Sequence, residues 1–187
     1  FSCEEQELVT VIKHTPEHLK RIYSSFLANG RLSCKGNIKG LVSKTSNPAL
    51  SMNCHINQGN FSLKSRPFIL KNISLDAAIS NGDERNFRQT KIEITQFDVK
   101  TENGFIKGDF TIQNLNKYYL TANLNSSWDL AEINHYFEDS PFFNLQGKLV
   151  ANTHYSGYVS FDSKFKNYFL AAKHTSITSF KNASFKY

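Results

Sequence analysis

The chain has 187 residues, of which 40% are hydrophobic and only 4 are proline, so a disordered chain is excluded and a folded domain is expected. Its net charge of +6 comes from lysines and arginines scattered along the sequence without a basic block, and we therefore expect no nucleic-acid partner. Mild basicity is compatible with a membrane surface. No apolar stretch approaches the roughly 20 residues of a membrane-spanning helix.

Residues 1–29 predict an N-terminal helical segment. Apolar residues in 8–12 predict a short helix. A second helix is predicted to begin at the sequence Thr-Pro-Glu, whose proline, Pro16, separates the two helices. Asn29 and Gly30 are typical of the end of that second helix. Its apolar stripe consists of Leu19, Ile22, Tyr23, Phe26 and Leu27.

From Arg31 onward the hydrophobic period changes from helical to two, which predicts β-strands. Turns are predicted at Gln58-Gly59, at Asn81-Gly82-Asp83 and, as a hairpin, at Asn103-Gly104, and a short helical break is predicted at 128–133. The strands are predicted at 31–42, 49–56, 60–63, 68–79, 90–99, 105–114, 118–126, 143–156, 168–174 and 176–185.

Short connections without intervening helices predict an antiparallel order. The expected fold is mainly β: an antiparallel, twisted and curved, groove-like meander sheet with an N-terminal α-helical segment. We divide the chain into a helical segment, 1–29, and a repetitive antiparallel β domain, 30–187. Because the sequence begins at Phe1 and its last pattern stops midway, we expect it to be a fragment of a longer protein.

The strand pattern occurs more than once along the chain, which is typical of a repetitive sheet. Cys34, Gly36, Ile38 and Gly40 correspond to Ile106, Gly108, Phe110 and Ile112, and Leu50, Met52 and Cys54 correspond to Leu120, Ala122 and Leu124. A weaker third copy begins at Leu145.

No set of residues has the spacing of a catalytic or metal site. The cysteines form no metal-binding spacing, and His135 and His154, near Glu138 and Asp139, fit no known ligand pattern. We therefore predict no enzyme activity, no metal and no cofactor. Cys34 and Cys54 are either small buried hydrophobic residues or, in an oxidising compartment, a disulfide across neighbouring strands.

One face of the sheet is the predicted binding surface. The residues that alternate with those of this face along each strand are expected to face solvent. They include Lys35, Lys39, Ser51, Asn53, Lys107, Asp109, Thr111 and Thr121. We expect bulges near Gly36 and Gly108, where the face assignment is most sensitive to register. The residues predicted to share the concave apolar surface are Cys34, Ile38, Leu50, Met52, Cys54, Ile92, Ile94, Ile106, Phe110, Ile112, Leu120, Ala122 and Leu124.

An ordered series of strand motifs follows the predicted helix. The series is GRLSCKGNIKG at 30–40, a polar loop with Pro48, LSMN at 50–53, GNF at 59–61, ISLDA at 73–77, IxxFDV at 94–99, GDFTIQNL at 108–115, LNSSWDL at 124–130 and LQGK at 145–148. This order resembles the C-terminal region of AsmA-like proteins of the AsmA/TamB group, of the type found in Bacteroidota. The resemblance covers about 16–158.

The resemblance implies a periplasmic segment whose parent protein is anchored in the inner membrane. It also implies a curved sheet whose apolar groove conducts phospholipid or another acyl lipid between inner and outer membranes, in outer-membrane biogenesis. No catalytic residues are implied. The alternative is an adhesin-like β-sandwich that binds proteins through its sheet edges and carries no lipid. Apolar alternation alone fits both an open groove and a closed core.

Overall fold

The computed structural model of the chain describes residues 1–13, 26–41, 43, 46–64, 69–133, 143–159 and 171–186. The strands form one 9-stranded antiparallel sheet in which each strand pairs with the next one in sequence. The expected mainly β, antiparallel meander is confirmed. The strands are β1 (Ser2–Glu7), β2 (Phe26–Lys39), β3 (Ala49–Leu63), β4 (Ile69–Ser80), β5 (Lys91–Lys100), β6 (Phe105–Gln113), β7 (Tyr119–Asp129), β8 (Phe143–Tyr158) and β9 (Lys173–Lys186). Within the described residues two short helices accompany them, α1 (Leu8–Lys13) and α2 (Leu130–Ile133).

The predicted hairpin at Asn103-Gly104 connects β5 and β6. The backbone N–H of Thr101 donates to the carbonyl of Gly104 across this turn, at 3.1 Å. The helical break predicted at 128–133 is confirmed for 130–133, which form α2, whereas 128 and 129 belong to β7. Helix α2 follows β7 without a gap and contacts β8. The turn residues that the sequence places between alternating runs therefore set the antiparallel order here.

The N-terminal helices are predicted correctly only in part. Helix α1 lies where 8–12 predicts one, whereas residues 14–25, with the predicted start at Pro16, lie outside the described residues. The helix prediction is wrong for 26–29, which belong to β2. The Phe26 ring lies 5.0 Å from that of Phe61, centroid to centroid, and pairing with β3 outweighs the local helical pattern. Strand β1 is not predicted by the sequence.

The bulges differ from those expected. Gln58 and Gly59 do not form a turn, because both lie inside β3, where the register with β2 and with β4 shifts. Around Gly36 the pairing of β2 with β3 is regular, so the bulge predicted there is wrong. The register does shift opposite Gly108, where β5 has an extra residue between Ile94 and Phe97. The bulge at Gly108 is therefore confirmed in position, although β5 provides the extra residue.

The two repeated hairpins pair with a different register. Gly36 pairs with Met52 in the first, whereas Gly108, its counterpart, pairs with Leu124 and not with Ala122, the counterpart of Met52. The offset is two residues, which equals the period of side-chain direction in a strand. The repeats therefore present the same face although their strands are displaced along each other.

The sheet has little buried core. The accessible surface is 12932 Å², against about 9,000 Å² for a compact monomer of this mass. Within the described parts of the chain, the buried hydrophobic side chains are Ile94, Val99, Ala122, Leu130, Ala151, Tyr155 and Val159. A single open sheet, without a second sheet packed on it in these parts, explains both observations.

Candidate functional site

Cross-strand pairing aligns apolar residues in rows across the sheet. Residues that pair directly across antiparallel strands lie on the same face. One row contains Cys34, Cys54, Ala77, Ile94, Phe110, Ala122 and Tyr155. The next row, two residues along each strand, contains Met52, Ile79, Ile92, Ile112 and Leu120. We call the side of the sheet that carries these rows the apolar face.

The register brings every sequence-predicted site residue to the apolar face. Ile38 and Leu50 pair with each other at the end where β2 meets β3. Ile106 and Leu124 continue β6 and β7 at even spacing from Phe110 and Ala122. Binding of a ligand by these residues stays a prediction.

The structure adds residues to the apolar face that the site prediction omitted. Phe97 and Val99 lie on it, although they are odd-numbered and Ile92 and Ile94 are even-numbered. The bulge in β5 reverses the alternation, so counting by twos would assign them to the opposite face. The Phe97 ring contacts that of Phe110 edge-on, with centroids 5.6 Å apart. Leu75, Ala77 and Ile79 share an apolar alternation that already indicates this face of β4.

Burial of the apolar face is uneven. Ala122 is 3% exposed and Tyr155 8%, whereas Ile38 is 59% exposed. Phe110, Leu120 and Leu124 pack around Ala122, Tyr155 and Val159. Cys34, Met52 and Cys54 are half-buried. The face is therefore covered at β7 and β8 and open at β2 and β3.

The opposite side, which we call the polar face, carries charged and amide side chains. Asn123 donates to the carboxylate of Asp109 at 3.0 Å, and the His154 ring hydrogen-bonds the Asn123 side-chain oxygen at 2.8 Å. Lys107 forms an ion pair with Asp98 at 2.8 Å. Of the partners predicted to face solvent, Thr111 and Thr121 are half-buried and the others are exposed. A solvated polar face leaves the apolar face as the side suited to apolar ligands.

A depression lies at the open end of the apolar face. It has a volume of about 290 Å³, and Ile38, Leu50, Pro48 and Phe87 supply its apolar lining. Arg85, which also lines it, comes from the turn between β4 and β5. The lining of the depression therefore combines apolar side chains with one cationic side chain and three asparagines, Asn47, Asn81 and Asn86.

Two ionisable groups of the apolar face have shifted pKa values. The pKa of Cys54 is raised from 9.0 to about 12, first by burial, then by a side-chain hydrogen bond with Cys34 and by the charges of Cys34 and Cys3. Burial, and secondly the charge of Tyr119, raises the pKa of Tyr155. Both groups therefore stay protonated and uncharged to a higher pH than they would in an unfolded chain.

The described residues contain no group of His, Cys, Asp and Glu side chains that could hold a metal ion. None of the helices in these residues has both the length and the apolar character needed to cross a membrane. No known protein family, curated protein or solved structure matches the chain.

Proposed function

We propose that the apolar face holds the acyl chains of phospholipid or another acyl lipid. In this proposal the chain is the periplasmic segment of an AsmA-like envelope protein, anchored in the inner membrane through its parent, that carries lipid between the inner and outer membranes. The observation that carries the proposal is the continuous apolar face from β2 to β8 of an open sheet. The resemblance of the strand motifs to AsmA-like proteins supports it.

The energetics suit a lipid of low specificity. Burying one methylene group is worth about 0.8 kcal/mol, so about ten methylenes provide roughly 8 kcal/mol before the costs of association. No directional polar contact is needed for this stabilisation, and the apolar face offers few. The rows run across neighbouring strands about 4.8 Å apart, which gives an extended acyl chain a path from the open side of the face at β2 and β3.

Lipid extraction tests the proposal. The chain, secreted to the periplasm of a diderm bacterium, is purified, and its bound lipids are identified by mass spectrometry. We expect phospholipid with the wild type and at least about tenfold less with Ile112→Asp, because a carboxylate in the path would have to be desolvated by the acyl chain. The matched control is Thr111→Asp, its neighbour in β6, which projects from the polar face.

Circular dichroism on the same samples separates loss of binding from loss of folding. The proposal requires Ile112→Asp to stay folded and Thr111→Asp to retain the lipid. Wild-type protein that extracts without lipid would contradict the proposal, as would equal lipid loss in both variants. Unfolding of Ile112→Asp but not of Thr111→Asp would also contradict it, because the apolar face would then be a dry core.

A second candidate function, protein binding through a sheet edge, is favoured by β9. This strand has 14 residues, and those whose side chains are described are exposed, including Ile177 at 74% and Phe180 at 63%. Its pairing within the described residues is with β8 alone. Long open edges add partner strands by main-chain hydrogen bonding. A Thr178→Pro variant would weaken such binding and leave lipid content unchanged.

A further inference from the structure

The three cysteines of the chain lie in one row across β1, β2 and β3. Cys3 pairs with Cys34, and Cys34 pairs with Cys54. No disulfide joins them, and all three are half-buried. They are far apart in sequence, and it is the unpredicted strand β1 that brings Cys3 into the row.

The pairing geometry suits either of two disulfides. Directly paired residues of antiparallel strands have Cα atoms about 4.5 or 5.5 Å apart, and a disulfide needs about 4.4–6.8 Å. Cys3 and Cys54 are separated by two strand spacings, about 9.6 Å, which is beyond the reach of a disulfide. Cys34 is thus within bridging distance of both neighbours, and they are not within bridging distance of each other.

The thiols of Cys34 and Cys54 lie close together, since a side-chain hydrogen bond with Cys34 is one cause of the raised pKa of Cys54. Along the chain the two pairs are separated by 31 and by 20 residues. Chain entropy then favours the shorter closed loop over the longer one by only about twofold, so loop length gives neither disulfide a strong preference.

We propose that Cys34 is the shared partner of two mutually exclusive disulfides, Cys3–Cys34 and Cys34–Cys54, and that exchange between them fastens or releases β1. Oxidation is by a small-molecule disulfide such as oxidised glutathione. A cysteine thiolate attacks it, one glutathione thiol leaves, and a second protein thiolate displaces the other, so two protein thiols are oxidised as one disulfide is reduced. Exchange needs no further oxidant: the Cys54 thiolate attacks the Cys34 sulfur, and Cys3 leaves as a thiolate and takes up a proton.

The consequence for β1 follows from its position. It is an edge strand of six residues with an irregular register between Cys3 and Gln6, where Glu5 has a φ of 39°. Its ion pair from Glu5 to Arg31 is exposed on both sides and contributes little. A covalent bond from Cys3 is therefore the strongest available link between β1 and the sheet, and its loss would expose the edge of β2.

Peptide mapping by mass spectrometry in glutathione redox buffers tests the proposal on the whole chain. We expect the wild type to contain both disulfides, Cys3→Ser only Cys34–Cys54, and Cys54→Ser only Cys3–Cys34. Cys34→Ser is the matched control: it retains two cysteines and should form no intramolecular disulfide. Circular dichroism confirms that each variant is folded. A Cys3–Cys54 disulfide in folded protein, or only one of the two expected disulfides in the wild type, would overturn the proposal.

Hydrogen exchange provides the second measurement. In oxidised Cys54→Ser the β1 amides should exchange at least about tenfold more slowly than in the same variant reduced, because β1 is tethered. In Cys3→Ser, oxidation should leave exchange in β1 unchanged. Equal protection of β1 in both oxidised variants would overturn the assignment of a fastening role to Cys3.

Discussion

The two halves of the sheet share one apolar face but bury it differently. Among the described residues, every buried hydrophobic side chain lies in 94–159, from β5 to β8 with α2 and the residue after β8. Strands β1 to β4 have apolar residues at the same alternation and contain no buried hydrophobic side chain. The alternation of apolar residues therefore decides which face of the sheet is apolar, whereas the burial of that face depends on the residues that pack on it. In the second half this covering includes Val159 and Ala172.

This difference separates stability from access. Local stability follows buried apolar contact, so β5 to β8 should be the last part of the sheet to open. The half-buried face of β2 and β3 has the exposed Ile38 and the depression beside it. A lipid held as we propose would enter at the first half, while the second half keeps the sheet folded.

The largest effect is expected from a charge in the covered half. Ala122→Asp should lower the free energy of unfolding by about 3 kcal/mol or more, because the carboxylate replaces a side chain that is 3% exposed. Met52→Asp, on the same face of β3, should cost about 1 kcal/mol, since water reaches that position. Urea unfolding measures both. Equal losses would show that the two halves are equally buried and would remove the basis of the comparison.

The glycines that correspond in the two repeats offer a second test. Gly108→Ala should lower the free energy of unfolding by about 2 kcal/mol. The reasons are that Gly108 has a φ of +152° and that an added Cβ would lie 1.9 Å from the Asn123 carbonyl oxygen.

The matched variant of that test is Gly36→Ala, which should cost about 1 kcal/mol. Its Cβ would lie 2.7 Å from the Ser51 carbonyl oxygen, without a left-handed φ, and β2 and β3 are the less covered pair. If Gly36→Ala proved the more destabilising, the first half would be the more tightly packed one, contrary to our comparison.

Much of the fold follows from the sequence, but not the burial. The alternation from Arg31 and the Asn103-Gly104 turn predict the order of the strands that follow β2. Counting every second residue along a strand assigns most residues of the apolar face correctly. This counting assigns Phe97 to the wrong face, because the bulge in β5 depends on pairing with Gly108. The helical prediction fails at Phe26 and Leu27, because the strand with which they pair is distant in sequence. Uneven burial of the face depends on tertiary covering, which no local pattern encodes.

A third test concerns the turn that closes the covered half. Glu132 of α2 is 5% exposed; one of its carboxylate oxygens accepts a hydrogen bond from the backbone N–H of Asn103, and the other has no partner among the described residues. Glu132→Ala should cost about 1–2 kcal/mol, because it leaves that N–H without its acceptor. Glu132→Gln keeps an acceptor oxygen for that N–H, so it should cost less stability than Glu132→Ala.

Thermal unfolding measures the stability of both Glu132 variants, and hydrogen exchange of the Asn103 amide reports on the turn itself. Faster exchange of this amide is expected in Glu132→Ala alone. If Glu132→Gln lost as much stability as Glu132→Ala, the charge would be the stabilising feature, and our assignment of an acceptor role would be wrong.

The smallest effect should appear in alkaline solution, at Cys54 in the open half. Its pKa is raised from 9.0 to about 12 in the folded chain, first by burial and then by Cys34. Since the folded state holds the proton more tightly than the unfolded state, the resulting stability is fully present below pH 9.0 and is lost as the pH rises toward about 12. Water at this half-buried site screens the effect, so we expect a small loss.

Urea unfolding of the wild type and of Cys54→Ser, under reducing conditions at pH values from about 8 to about 11, isolates this contribution, because serine does not titrate there. The wild type should lose more stability across this range than Cys54→Ser. Tyr155→Phe is the comparison in the covered half, where burial also raises the pKa and the phenol donates to the Tyr158 carbonyl at 2.9 Å. Tyr155→Phe should also reduce the alkaline loss, because the phenol holds its proton more tightly in the folded chain than in the unfolded chain. If Cys54→Ser lost as much stability across this range as the wild type, the Cys54 thiol would not be the group responsible, and water would reach it in the open half as freely as in the unfolded chain.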